Sequence, residues 1–216
     1  MSAPSLTEFI LATLHEEKQR LDEFDDRPFG EYHESHLAHA IGKALEKQGY
    51  LTILEESSKA YGKDRCDLYA WTQVREFRIE VKRGWDGKGD GWNSKPAAQL
   101  RSWLVDVSKL ARHSDGERYF VLLHFRQKML EVTGEFVPRS DWNEIVSHLA
   151  SSVRAGKRDF VLPRRISPLG AEWLLQKVVG ELTGCDLVAD RRLNTDADDY
   201  MYRLYVARFE PSGSHG

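Results

Sequence analysis

Apolar and polar positions recur along this chain with two different periods, and the switches between them mark out its elements. In residues 5–24, Phe9, Ile10, Thr13, Leu14, Glu17, Leu21 and Phe24 fall at helical spacing, which predicts an amphipathic N-terminal helix. The run Arg27-Pro28-Phe29-Gly30 interrupts it. A second helix, from Glu31, carries Leu37, Ile41 and Leu45 on one face and stops at Gly49, a residue free to take the left-handed conformation at a helix end. Glu34 precedes Leu37 by three residues and Ile41 by seven, so it lies near the inner face of that helix. Residues 50–55, 65–71 and 75–83 then follow a period of two. In the third, Phe77, Ile79 and Val81 alternate with Arg78, Glu80 and Lys82. After a glycine-rich loop over 84–91, a helix starts near Pro96, where the missing N–H removes no bond, and carries Leu100, Trp103, Leu104, Val107 and Leu110. Residues 119–125 form a short apolar run suited to a buried strand.

Further on, the pattern predicts a strand over 130–137 and a helix opened by Asp141 with Glu144 at capping-box spacing. It also predicts a strand over 158–163, a helix from Ser167-Pro168 to about Thr183, and an aromatic-rich strand over 200–209. The order of helix, three strands, helix and strand predicts an α/β fold with a mixed central sheet flanked by helices. The expected organisation is an N-terminal helix over 1–28, a core over 29–138, a C-terminal α/β extension packed on it over 139–210, and a disordered tail over 211–216.

Length and composition narrow the class. The chain has 216 residues, 41% hydrophobic and 30% charged, enough for one full core and an appended subdomain. No apolar run approaches the roughly 18 residues of a membrane span, and the N-terminus lacks the basic-then-apolar order of a signal peptide, so no membrane partner and a cytoplasmic address are expected. Cys66 and Cys185 lie in no metal-binding or disulfide pattern and are expected to be small buried residues. The net charge of −3 does not advertise nucleic-acid binding, but its distribution is uneven. Acids crowd the first 34 residues, whereas 75–112 is rich in Arg and Lys, including Arg83, Lys88, Lys95 and Arg101. One face meeting phosphates and two ordinary solvated surfaces are both compatible with that asymmetry.

The chemistry centres on Asp67, Glu80 and Lys82. The midpoint between the two strands falls between Gln73 and Val74, so a symmetric hairpin sets Asp67 opposite Glu80, with Cβ atoms roughly 4.5–5.5 Å apart. Lys82 shares their face, and Val81 points the other way. Two facing carboxylates repel unless a divalent cation converts the repulsion into coordination, and Mg²⁺ takes hard oxygen ligands of this kind. Lys82 beside them can orient or activate a nucleophile and offset transition-state charge, and Glu34 can reach the same point as a further ligand. Taken alone, Glu80-Val81-Lys82 is also the pattern of a solvent-facing ion pair.

These residues, in this order of elements, resemble the PD-(D/E)XK nuclease superfamily of restriction endonucleases, Holliday-junction resolvases and RecB-type exonucleases. The resemblance covers residues 31–126, about half the chain, and implies a restriction-endonuclease-like α-β-β-β-α-β core. It implies that Asp67, Glu80 and the Val81 carbonyl bind Mg²⁺, which Mn²⁺ can replace, with Lys82 as catalytic lysine and Glu34 as the first-helix acid. Cys66 stands where the family's nominal motif has proline. The run Gln99-Leu-Arg-Ser-Trp103 looks like the Gln-x-x-x-Tyr element of RecB-like members, which implies a substrate-positioning role for Gln99 and leaves Trp103, in place of Tyr, to the core. The implied function is Mg²⁺-dependent hydrolysis of DNA phosphodiesters, as a possible homodimer. Lys88, Lys95, Gln99, Arg101 and Arg83 are the expected DNA contacts. The rival readings are a non-catalytic nuclease-like module that binds nucleic acid or a protein partner, and an enzyme using the carboxylates for general acid–base work.

Other signals are weaker. The segment 84–92 lacks the order of a phosphate-binding loop, but its glycines permit a flap on which Trp85 or Trp92 stacks on a base, a surface turn being the alternative. His33, His36 and His39 are spaced for surface or supporting roles rather than as metal ligands. Asp196, Asp198 and Asp199 lack the glycine and glutamate of a calcium loop.

Overall fold

The structure, a computed structural model, describes residues 5–24, 33–56, 66–86, 95–113, 116–127, 136–162, 166–190 and 200–209. Its elements run α1 (Leu6–Phe24), α2 (Glu34–Lys47), β1 (Leu51–Glu56), β2 (Cys66–Trp71), β3 (Glu76–Asp86), α3 (Lys95–Arg112), β4 (Glu117–Gln127), α4 (Trp142–Arg154), α5 (Pro168–Thr183), β5 (Val188–Asp190) and β6 (Tyr200–Phe209). The chain is therefore α/β, with a mixed open sheet between helices.

Among the described residues the sheet has six strands in the order β1-β2-β3-β4-β6-β5. β1, β2 and β3 are joined antiparallel, β3 and β4 run parallel with α3 as the crossover, and β6 pairs antiparallel with both β4 and β5. Residues beyond 139 thus add strands to the same sheet. Strand alternation sorts side chains between two cores. Leu68, Ala70, Phe77, Ile79, Val81, Val121 and Leu123 pack under α1 and α2, while Phe120, Leu122, Tyr205 and Ala207 pack under α3, α4 and α5. β4 is buried on both faces, as its unbroken Tyr-Phe-Val-Leu-Leu run requires.

Helix ends follow local chemistry. α2 closes where Gly49, at φ +87°, donates to the Glu46 carbonyl at 2.9 Å. α5 opens with the Ser167 hydroxyl accepting from the Gly170 N–H at 3.0 Å, with Pro168 in the first turn, and it ends at Gly184 with φ +68°. At the end of α3, the buried Arg118 guanidinium donates to the carbonyls of Leu110 and Ala111 at 3.3 and 3.2 Å, placing a cation at the negative pole of the helix.

Three expectations are corrected. Asp141 precedes α4, but its backbone is already helical and its side chain makes no cap bond, because the carboxylate pairs with Arg139 instead. Residues 158–162 are irregular rather than a strand. They follow α4, with Phe160 buried and Val161 77% exposed, and among the described residues they pair with no strand of the sheet. Cys66 is buried as expected, whereas Cys185 is only half-buried. Phe136 and Val137 are also irregular, and the rest of the strand expected over 130–137, the break at 27–30, the loop residues 87–91, the Asp196 to Asp199 cluster and the tail at 211–216 lie outside the described residues.

Gly84 sits at a close approach. A Cβ there would meet Trp103 Cζ2 at 2.4 Å, His124 Cδ2 at 2.8 Å and Gln99 Oε1 at 2.9 Å. Gly84→Ala is therefore expected to cost about 1–3 kcal/mol through overpacking. Gly180→Ala, inside α5 with its nearest contact at 3.6 Å, should gain up to ~1 kcal/mol from helix propensity. Urea-unfolding midpoints check both, and a neutral Gly84→Ala would refute the tight packing.

Candidate active site

The hairpin of β2 and β3 builds the site. Its register runs Trp71↔Glu76, Ala70↔Phe77, Tyr69↔Arg78 and Leu68↔Ile79, and Asp67 and Glu80 are the next residues beyond that last pair. The symmetric hairpin expected from the sequence thus has the observed register. Asp67 uses one oxygen to fix the strand beneath it: Oδ2 accepts from the Val81 N–H at 2.7 Å. The Val81 side chain is fully buried under α1 and α2, so Glu80 and Lys82 turn to the opposite face, under α3.

There the Lys82 ammonium lies 3.0 Å from Glu80 Oε1 and 3.7 Å from Asp67 Oδ2. Glu34, in the first turn of α2, brings Oε2 to 3.3 Å from Lys82 Nζ, while its Oε1 accepts from the Arg83 N–H at 3.0 Å. The fourth carboxylate around the amine was not expected. Asp106 of α3 places Oδ2 3.6 Å from Lys82 Nζ and also pairs with Lys109. A sequence signal for it did exist. Asp106 follows Trp103 by three residues and precedes Leu110 by four, so it is an acid on the apolar stripe of its helix.

Burial sets the electrostatics. The Glu80 side chain is 4% exposed and Lys82 13%. Burial first, and then the negative charges of Asp67 and Asp106, push the Glu80 carboxyl up to about 8 despite Lys82. Asp67 is also raised, by burial first, against the opposing pull of Lys82 and the Val81 N–H. Burial alone would lower the pKa of Lys82, but Glu80, Asp67, Asp106 and Glu34 together hold it well above the ordinary lysine value. The amine is therefore a fixed ammonium at neutral pH, a donor and a charge rather than a base.

A cavity of about 600 Å³ opens beside the cluster, lined by His33, Glu34, Ser35, Ala38, Leu54, Asp67 and Arg83. Among the described residues no group of three or more His, Cys, Asp or Glu side chains is set out as metal ligands. The carboxylates are gathered on Lys82 instead. The donor set nevertheless suits a hard divalent cation: four carboxylates gather on Lys82, with Lys109 paired to Asp106 and Arg83 on the cavity wall, so acids outnumber the cations around them.

The other expected residues divide. Arg83 lines the cavity, and Gln99 packs with Trp103 against Gly84, two residues beyond Lys82. Trp103 is 2% exposed, as a core residue should be. Arg101 is exposed and directed elsewhere, donating to the Phe160 carbonyl at 3.5 Å. Lys88 and the side chains of Lys95 and Trp85 lie outside what is described. His36 pairs with Glu17 of α1 at 2.8 Å, and His33 borders the cavity. A buried cluster two residues further along the strands was also not expected: Glu172 of α5 joins His124 Nδ1 at 2.5 Å and pairs with Arg203.

Comparison with protein-family models, with curated proteins and with solved structures returns no match. The α/β class and the geometry of the cluster are what the chain offers for a functional reading. Among the described residues no helix is long and apolar enough to cross a membrane.

The Glu80 shift has a signed consequence. Its folded-state value of about 8 lies above the ordinary 4.5, so folding favours the neutral acid. That contribution is complete below pH 4.5 and disappears as pH rises to 8. In chelator, wild-type stability should therefore fall between pH 5 and pH 9 by an amount on the order of a few kcal/mol, whereas Glu80→Gln should have a flatter profile and be the more stable protein at pH 9. Urea titrations at three pH values measure this, and parallel profiles would contradict the assignment.

Proposed function

We propose that this chain is a Mg²⁺-dependent nuclease of the PD-(D/E)XK type that hydrolyses DNA phosphodiester bonds, its core being the α2-β1-β2-β3-α3-β4 unit. The observation that carries the reading is the meeting of Asp67, Glu80 and Glu34, from two strands and a helix, at a single buried ammonium beside an open cavity. An ion pair serving only stability needs one acid, and burying additional carboxylates costs free energy that a structural role does not recover. Perturbed, clustered ionisable groups at a cavity are the usual mark of a functional site.

Asp67, Glu80 and Glu34 are the residues that would hold the cation, with the Val81 carbonyl between Glu80 and Lys82 on β3. Mg²⁺ bound there supplies Lewis-acid polarisation of a phosphate and a lowered pKa for bound water. Lys82 remains protonated and directs a positive charge at the reacting phosphate as negative charge builds on its oxygens. The Asp67 bond to the Val81 N–H keeps one carboxylate in place before any ligand arrives, so that part of the site is organised in advance. Arg83, on the cavity wall, is placed to meet a neighbouring phosphate, and Gln99 to order the substrate strand.

One observation favours the alternative, a module that binds nucleic acid or a protein partner without cutting: Lys82 holds the point where the carboxylates converge. The two readings diverge in a cleavage assay with linear, circular and single-stranded DNA. Wild-type protein is expected to cut with Mg²⁺ or Mn²⁺ and not in chelator, and Asp67→Ala and Lys82→Ala should each lose at least about 10²-fold in rate. Equal cutting by all three proteins would mark a contaminant and leave the binding module ahead. A readout independent of cleavage accompanies it. At a Mg²⁺ concentration near 100 times Kd, the wild type should gain about 2.7 kcal/mol of stability, and Asp67→Asn much less.

A further inference from the structure

Binding a cation at this site raises a competition. The carboxylates that would ligate the metal, Glu34, Asp67 and Glu80, are the same groups that hold the Lys82 ammonium, at 3.3, 3.7 and 3.0 Å. If they turn to a cation, the buried amine loses its counter-ions and faces a second positive charge. It then needs a negative partner that is not itself a ligand. Asp106 meets that description. It lies 3.6 Å from Lys82 Nζ, on α3 rather than on the hairpin, and is tied to its own helix by Lys109 one turn further on. Glu34 and Asp67 line the cavity through which a cation and substrate would enter, and Asp106, with its side chain 9% exposed, does not.

We infer that Asp106 is a positioning residue: it is the counter-ion that retains the Lys82 ammonium on the α3 side when a divalent cation takes the carboxylates of β2, β3 and α2. The inference rests on the metal-dependent reading above. It adds a fourth acid whose role is to relieve the contest between lysine and metal. Such a residue acts through Lys82, so its effect on metal binding should exist only while Lys82 carries its amine.

A double-mutant cycle on the full chain, read by calorimetric titration with Mg²⁺ and with Mn²⁺, tests this dependence directly. Asp106→Asn is expected to weaken metal binding by about 10-fold or more, the usual scale for outer partners of a metal site. Lys82→Met should bind metal more tightly than wild type, because the competitor is gone. Adding Asp106→Asn to Lys82→Met should then change affinity by less than about threefold, the non-additivity expected of residues that act together. Asp106→Glu, which keeps the charge, should restore most of the wild-type affinity. Equal losses from Asp106→Asn in both backgrounds would overturn the inference, since a direct ligand or a general structural effect does not depend on Lys82; so would no loss in either. Should Asp106→Asn fail to fold, Lys109→Met replaces it. Releasing Asp106 to Lys82 should tighten metal binding in the Lys82 background more than in Lys82→Met, and equal changes would count against the role. Absence of metal binding by both wild type and Lys82→Met would defeat the metal-dependent reading itself, whereas binding by both with additive effects would defeat only the role of Asp106.

Discussion

The structure is organised around the cost of placing four carboxylates next to one another in a low-dielectric pocket. Each of Glu34, Asp67, Glu80 and Asp106 approaches the others because each is drawn to the same ammonium, and Lys82 is stable in that pocket because they are there. Removing the amine leaves mutually repelling acids, and removing the acids leaves a buried cation. The cluster is therefore held together as a unit, with acids in excess over ammonium groups. A site whose acids outnumber its ammonium groups can accept a further positive charge.

Strand geometry delivers this arrangement with little irregularity. Alternation along β3 sends Ile79 and Val81 into one core and Glu80 and Lys82 toward the other, so the ionic pair stands on a strand whose opposite face is anchored by apolar contacts. The Asp67 bond to the Val81 N–H locks β2 to β3 at the residue between the two reactive ones. Glu34 approaches from the opposite layer because it occupies the first turn of α2, where the chain has just entered the helix and can reach past the β3 backbone to the Arg83 N–H. Positioning thus comes from strands and helices.

The hairpin, α2, α3 and the paired facing of Asp67 and Glu80 were legible in the sequence because each rests on local periodicity. A two-residue period fixes which face Glu80 and Lys82 share, and the chain midpoint at Gln73 and Val74 fixes the register. Asp106 was less legible. Its spacing from Trp103 marks it as an inward acid, but nothing local says that α3 crosses over Lys82 rather than elsewhere on the sheet. The same limit hid the Glu172 pair with His124 and Arg203, whose members lie on α5, β4 and β6 and meet only through the sheet order. The supposed strand over 158–163 failed for the converse reason. Phe160 does seek the core, but among the described residues the segment joins no strand of the sheet. Arg101 shows the same limit in a basic residue, since its place in a positively charged stretch said nothing of the side of α3 from which it projects.

The position of α3 therefore decides how much of the chain the site depends on. Register places Gly84, His124 and Arg203 in one row across β3, β4 and β6, just beyond the row of Lys82, Leu122 and Tyr205. Gly84 is bare because the Trp103 and His124 rings occupy the space a side chain would fill, with their centroids 5.4 Å apart. Glu172 holds His124 from one side and Arg203 from the other, and so fastens α5 to this row. Trp103 seated on Gly84 sets the height and rotation of α3, and Asp106, less than one turn further on, is brought to Lys82 by the same seating. A perturbation in α5 or β6 can thus reach the acids through α3 without touching any of them. The C-terminal strands and helix act as part of the cluster's support, and the span that holds it extends beyond the elements that carry its ionisable groups.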